Sequence, residues 1–548
     1  MKKLTTSFVV TLALFSHFIL GNTADAGQDR PKLVLVLVID QFRADYLMRF
    51  QSLFGPGGFQ YLMSKGAYYP YAEYGILQCM TGPGHATILT GSYPYLAGIP
   101  ANDWYDQQTH SRMYCTEDAA QATIGVDKTK AHVGTSPKNL NASTVGDELK
   151  NAGYPSRVVS IAVKDRAAIL MGGHRSDISV WLDQESFRWV SSKFYLPDGK
   201  LPAWVSKLNE GLAANAGKTL DWNVKGAGSG LSLQDPMMLK DSWNAMAGTE
   251  FPHHVAANTK GALKIPYGLE ITETAAEGAL NEYKLGNGKA TDLLAVSFSS
   301  HDYASHAFGP NSREMEEMTI ADDRVIAKLL NAVSKEVPGG LKNVVVVLTG
   351  DHGVAPNPSY LNTVKVDAGR VDAAALNQIA EAALIEKFGK PKTGHWVSYN
   401  ADFNFYFDQD MLRDKKLKES EVEEVVKKSF AGYPGIAAVF SRTDYLERKL
   451  PPGLHERAIL KTYYPGRSGN VIAILAPNYI GLGDTADHIT DYSYDRTVPL
   501  IFSGPHIKPG KYSQKADVID IAPTLSYLLG TVPPNMSEGR VLSEMITQ

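Results

Sequence analysis

Residues 32–39 read Lys-Leu-Val-Leu-Val-Leu-Val-Ile, a run with no polar side chain after the lysine. A strand turns alternate side chains to opposite faces, so such a run persists only where both faces are covered. That is the situation inside a mostly parallel sheet flanked by helices. The run stops at Asp40-Gln41. Three further strands of this type are predicted. Residues 157–163, preceded by a helical stretch at 144–152, end in Lys164-Asp165-Arg166; residues 293–298 end in Ser299-Ser300-His301-Asp302; residues 344–348 end in Thr349-Gly350-Asp351-His352-Gly353. A last strand at 498–502 and a helix at 519–529 close the chain. Strands alternating with helices imply an α/β domain with right-handed crossovers. Polar groups collected beyond strand C-termini mark where open α/β sheets place their sites.

Two regions depart from the alternation. Residues 170–290 are rich in Gly, Asn, Trp and Lys with weak periodicity, and are expected to form loops and short elements over the sheet. From 395 to 480 a strand (401–408), a charged amphipathic helix (420–430) and two strands (436–440 and 470–475) suggest a small inserted α+β cap lobe. The fold expected is therefore α/β, with a mostly parallel central sheet flanked by helices and that lobe inserted.

At 548 residues the chain is long enough for a large core. With 44% hydrophobic residues, 20% charged and a formal net charge of −4, it carries no basic excess that would suggest nucleic acid. Lys2 and Lys3, an apolar run over 8–20 and Ala24-Asp25-Ala26 read as a secretory signal cleaved after Ala26. Residues 27–548 are then the mature catalytic domain, expected in a periplasm, without stable membrane insertion and as a monomer. The two cysteines, Cys79 and Cys115, would pair in an oxidising compartment or stand as separate thiols. Two cysteines cannot make a Cys-rich metal site, so any metal must sit on His and carboxylate ligands.

The stretch Thr81-Gly82-Pro83-Gly84-His85 precedes a short, mostly apolar segment. Pro83 suits the first turn of a helix, where its missing N–H costs nothing. Free backbone N–H groups at such an end attract an anion. Thr81 is open to two readings, a helix cap or a hydroxyl used on a phosphate. Asp40, Asp302, His306, Asp351, His352 and His488 supply oxygen and nitrogen donors of the kind zinc takes. Asp302 and His306, four apart, share one helical face. Divided in two, they make one group of Asp302, His306 and His488 and another of Asp40, Asp351, His352 and the Thr81 oxygen. Two metals a few ångströms apart are a device of phosphoryl transfer.

In order and spacing these segments, with Asn102-Asp-Trp-Tyr, Lys164-Asp-Arg166-Ala-Ala and the stretch from His488 to Tyr494-Asp495, resemble the alkaline phosphatase superfamily. The likeness is to secreted bacterial alkaline phosphatases that use Thr as nucleophile, and it runs over nearly the whole mature chain. It implies two zinc ions, with Thr81 the nucleophile on the zinc held by Asp40, Asp351 and His352. Asp302, His306 and His488 would hold the other zinc, which stabilises the leaving oxygen. Asn102 would donate to a phosphoryl oxygen, and Lys164 and Arg166 would bind the terminal oxygens. Two cations for those oxygens favour small-molecule phosphate monoesters over diesters, which relatives on the same fold hydrolyse. The sequence departs from the family's pattern at Asp103, where a second Asn is frequent, and at Ile489-Thr490 after His488. Asp484, Asp487 and Asp491 are therefore substitute ligands to weigh, and His85 is expected behind the ligands.

Overall fold

The computed structural model describes residues 30–126, 134–224, 251–483 and 485–547. The signal expected over 1–26 and the substitute ligand Asp484 lie outside these residues.

An eleven-stranded mixed sheet runs through the chain. Its principal strands are β1 (Leu33–Ile39), β2 (Gly66–Glu73), β3 (Val158–Ala162), β4 (Ile178–Asp183), β5 (Arg188–Ser192), β6 (Asp292–Phe298), β7 (Val344–Gly350) and β8 (Thr497–Ser503). They lie in the order β2-β8-β7-β1-β6-β3-β4-β5. The centre, β7-β1-β6-β3-β4, is parallel, whereas β8, β2 and β5 add antiparallel flanks.

The unbroken run of β1 is explained by the two cores it serves. Leu33, Leu35, Leu37 and Ile39 enter one apolar cluster. Val34, Val36 and Val38 enter another on the opposite face. All seven are fully buried, each stabilising the fold by about 1.5–3 kcal/mol relative to exposure. On the first face pack α3 (Tyr267–Tyr283) and α5 (Arg313–Glu336), and on the second the C-terminal helix Ile521–Leu529.

Register sets the stage for the site. β1 pairs in step with both neighbours, Leu33 opposite Asp292 and Val344, Ile39 opposite Phe298 and Gly350. Asp40, Ser299 and Asp351 therefore leave the sheet side by side. Ser297 on β6 faces Ala162 on β3, which brings Lys164 to the same edge.

Residues 170–290 hold more regular structure than their composition suggests. β4 extends the parallel sheet, and α3 is a helix of 17 residues. Its buried side mixes Ala275, Ala276 and Ala279 with Leu269, Ile271, Leu280 and the polar Thr272 and Glu273, and Gly268 and Gly278 lower its propensity. The helix is held by packing that single-chain periodicity does not reveal.

A second, four-stranded antiparallel sheet joins Val397–Ala401, Asn404–Phe407, Val471–Leu475 and Ile436–Ser441 in that order. The helix Glu419–Phe430 and the helix Ala373–Phe388, which precedes residue 395, share its apolar cluster. Cys79 and Cys115 are separate buried thiols.

Candidate active site

The helix α1 (Thr81–Thr90) begins one residue earlier than a Thr81 cap would require. Met80 occupies the cap position, and no side chain caps the end. The Thr81 hydroxyl is instead engaged from outside its helix. Lys164 Nζ lies 3.2 Å and Arg166 Nη2 3.3 Å from Thr81 Oγ1. The free N–H of Gly82 is satisfied by Asn102 Oδ1 at 2.8 Å, which fixes the amide of Asn102 beside the helix N-terminus. Of the two readings of Thr81, the cap fails.

Gly84 has a steric reason. A Cβ there would lie 2.3 Å from the Asp351 carbonyl oxygen, so only glycine lets α1 approach the end of β7 this closely.

Lys164 opens α2 (Asp165–Gly172) and is almost fully buried. Its Nζ reaches Asp40 Oδ2 at 2.8 Å and Asp302 Oδ2 at 2.5 Å. Burial works against its charge, but the two carboxylates raise its pKa. Arg166 is held by the Tyr114 hydroxyl, which accepts from Nη1 at 3.1 Å and donates to Asp165 Oδ1 at 2.7 Å.

The six candidate ligands converge in two groups. In the first, the oxygen and nitrogen atoms of Asp40, Asp351 and His352 all lie within 4.8 Å of one another. His352 Nε2 stands 3.3 Å from Asp351 Oδ2 and 3.5 Å from Asp40 Oδ1, and all three atoms are buried without a directed hydrogen bond. In the second, Asp302 Oδ1 lies 3.3 Å from His306 Nε2 and 3.5 Å from His488 Nε2, with the two nitrogens 3.1 Å apart. Asp302 and His306 come from α4 (Ser300–Phe308), one turn apart. His352 lies between the groups, its ring stacked on His488 at 3.6 Å.

The rings are aimed by the backbone. His306 Nδ1 donates to Ala486 O (2.8 Å), His488 Nδ1 to Cys79 O (2.8 Å) and His352 Nδ1 to Gly353 O (2.9 Å). A carbonyl only accepts, so each Nδ1 carries hydrogen and each neutral ring turns an Nε2 lone pair inward. Lone pairs facing one another and carboxylates at these distances call for a cation. The donor set, without thiolate, suits a divalent metal such as zinc, and the residues fit it.

The electrostatics express the same demand. Burial and the neighbouring Asp351 raise the Asp40 carboxyl well above the usual carboxylate range, although Lys164 opposes them. Burial depresses His352 to about 3. Asp302 outweighs burial at His488 and raises it to about 10, so this carboxylate favours a positive charge on His488 Nε2, whether a proton or a metal ion.

The substitutes for His488 are otherwise occupied. Asp487 Oδ1 accepts the His488 backbone N–H at 2.8 Å, and Asp491 pairs with His455 at 2.9 Å. His85 sits behind the first group, Nδ1 donating to Thr81 O at 2.9 Å and lying 3.2 Å from Asp351 Oδ2, Nε2 accepting from Ser297 Oγ at 2.8 Å. Asp103 spends its charge on Arg112 (2.9 Å) and accepts from the Tyr399 hydroxyl (2.7 Å). Sequence reasoning passed over Tyr114 and Gln41. Nothing local marks Tyr114, which acts only once the hairpin of Asp103–Asp106 and Ser111–Tyr114 brings it to Asp165 and Arg166 on α2. Gln41 had one signal, a second polar residue at the end of a fully buried strand.

Known proteins resemble this chain over most of its length. A sequence model of the family described as type I phosphodiesterase / nucleotide pyrophosphatase matches residues 34–492. The alkaline phosphatase PafA of Elizabethkingia meningoseptica is 32% identical, with 96% of each chain covered. A protein of Myroides odoratus named a calcium-transporting ATPase is also 32% identical over 99% of each chain. The crystal structure of wild-type PafA overlays with a TM-score of 0.84 at 31% identity, over 95% of this chain and all of that one.

Proposed function

The chain belongs to the type I phosphodiesterase / nucleotide pyrophosphatase family and is a phosphoric monoester hydrolase, and from that premise we propose that it is a two-zinc alkaline phosphatase working through a phospho-threonine intermediate. The observation that carries this reading is the meeting of Lys164, Arg166 and Asn102 around Thr81, directly beside two groups of metal-type ligands.

Asp40, Asp351 and His352, with Thr81, would hold one ion, and Asp302, His306 and His488 the other. Bound there, the ions supply Lewis acidity, lowering the pKa of oxygens they touch and offsetting charge on attacking and leaving groups. The chain's own residues do the rest. Thr81 Oγ1 forms the new P–O bond while the ester P–O bond breaks and the alcohol departs. Water then attacks phosphorus, the bond to Thr81 breaks, and inorganic phosphate leaves with net retention. Arg166, fixed by Tyr114, binds two phosphoryl oxygens bidentately, and Lys164 acts as a point charge. The Asn102 amide donates to a third oxygen. These donors are positioned before the substrate arrives, which is what electrostatic catalysis requires.

The phosphodiesterase reading has one specific support, the description of the family itself. Against it stand two cations over the Thr81 hydroxyl, which suit a dianionic monoester better than a diester, where a second organic group replaces one charged oxygen. The ATPase name of the Myroides relative is compatible in its hydrolytic part, because ATP ends in a dianionic phosphoryl group. Transport is not carried over. No helix among the described residues is long and apolar enough to cross a membrane.

We also read residues 27–548 as one periplasmic catalytic domain capped by the lobe. N-terminal sequencing of the mature protein at Gly27 checks the cleavage. The function is tested by kcat/KM for p-nitrophenyl phosphate against the bis-p-nitrophenyl diester, with metal analysis. A monoester preference, two zinc ions per chain and loss of nearly all activity in Thr81→Ala are expected. A faster diester, or full activity in Thr81→Ala, overturns the reading.

A further inference from the structure

Gln41 follows the first ligand on β1 and stands at φ 63°, a left-handed conformation that side chains other than those of glycine and asparagine seldom adopt. It is fully buried. Its backbone and side-chain nitrogens donate to different places. The backbone N–H donates to Asp351 Oδ1 at 2.9 Å, and the side-chain Nε2 donates to Asp302 Oδ1 at 2.8 Å. One carboxylate belongs to each ligand group. A glycine would take this backbone conformation without strain, so what glutamine adds is the amide on Asp302.

We propose that Gln41 is a positioning residue that links the two ligand groups, its backbone fixing the Asp351 carboxylate and its side chain fixing the Asp302 carboxylate. The proposal rests on the two-metal reading above. Asp302 Oδ1 is the oxygen nearest His306 and His488, so the amide controls the atom that completes the second group. The helix carrying Asp302 is anchored independently, since His301 Nδ1 pairs with Asp322 Oδ2 at 2.6 Å on α5. Removing the Gln41 amide thus releases Asp302 Oδ1, leaves Oδ2 on Lys164 at 2.5 Å, and leaves α4 docked. The same residue therefore grips one carboxylate of each group, Asp351 through its backbone and Asp302 through its side chain.

Gln41→Gly isolates the side chain while keeping the N–H and the backbone. Zinc affinity is read by chelator competition with elemental analysis on the full chain. The wild type is expected to bind two ions. Gln41→Gly should weaken the ion at the Asp302 group by about 10–100-fold, the usual effect of losing a partner of a ligand, and leave the other within about threefold. In a His306→Ala background, where that group is already broken, the substitution should cost nothing further. An unchanged second ion, or two ions weakened alike, overturns the inference and leaves the two-metal reading intact. Fewer than two ions in the wild type overturns both. Gln41→Asn carries the same expectation should the glycine variant fail to fold, because asparagine tolerates the left-handed conformation but is one methylene too short for Asp302.

Discussion

Gly84 measures how little room the site leaves at the level of single residues. A methyl group there would meet the Asp351 main chain at 2.3 Å for the oxygen and 3.0 Å for the carbon, and rigid backbone on both sides cannot yield cheaply. Gly84→Ala is expected to move α1 off the end of β7, separating Thr81 from the first ligand group. Displacements of about 1 Å cost on the order of 100-fold in rate, so kcat/KM for p-nitrophenyl phosphate should fall by about that factor while the chain stays folded by circular dichroism. At this scale the acidic residues that converge on the site were legible as candidates, because a charged residue at the end of a fully apolar strand, such as Asp40 or Asp351, has few structural reasons to be there. Gln41 and Tyr114 were not, since their value lies in partners hundreds or dozens of positions away.

The elements were legible in proportion to how continuously apolar they are. β1, β3, β6 and β7 announce themselves because both faces are buried. α3 does not, because three alanines, Thr272 and Glu273 share its buried side with Leu269, Ile271 and Leu280, and its glycines weaken the helical signal. The lobe's strands were read one element short, the strand Val397–Ala401 alternating too weakly to stand out. β1 carries a prediction of its own. Leu37 is fully buried in the larger cluster, and Leu37→Ala should destabilise the chain by about 2–5 kcal/mol. Urea unfolding should show the midpoint falling at unchanged slope.

For the whole molecule, stability and pH are linked through Asp495. Its Oδ2 accepts from the Thr490 N–H (3.0 Å) and hydroxyl (2.5 Å), Oδ1 is buried without a partner, and burial raises the carboxyl to about 8. The folded chain therefore holds a proton that the unfolded chain has released above about pH 4. Its contribution to stability is present below the unfolded pKa and is lost as pH rises toward about 8, with a slope of at most about 1.4 kcal/mol per pH unit. Asp495→Asn keeps an acceptor and removes the titration. Its unfolding midpoint should vary less between pH 5 and 8 than that of the wild type; an equal slope in both would show that Asp495 is not the group responsible.

The three central strands are in step along their whole length, so the distance between Asp40, Asp351 and the start of α4 is written into main-chain hydrogen bonds rather than into loops. Such a ladder is indifferent to which aliphatic side chain stands at each rung. Over evolutionary time the cores on both faces can be refilled with other side chains of similar bulk while the spacing of the reactive groups is handed down unchanged.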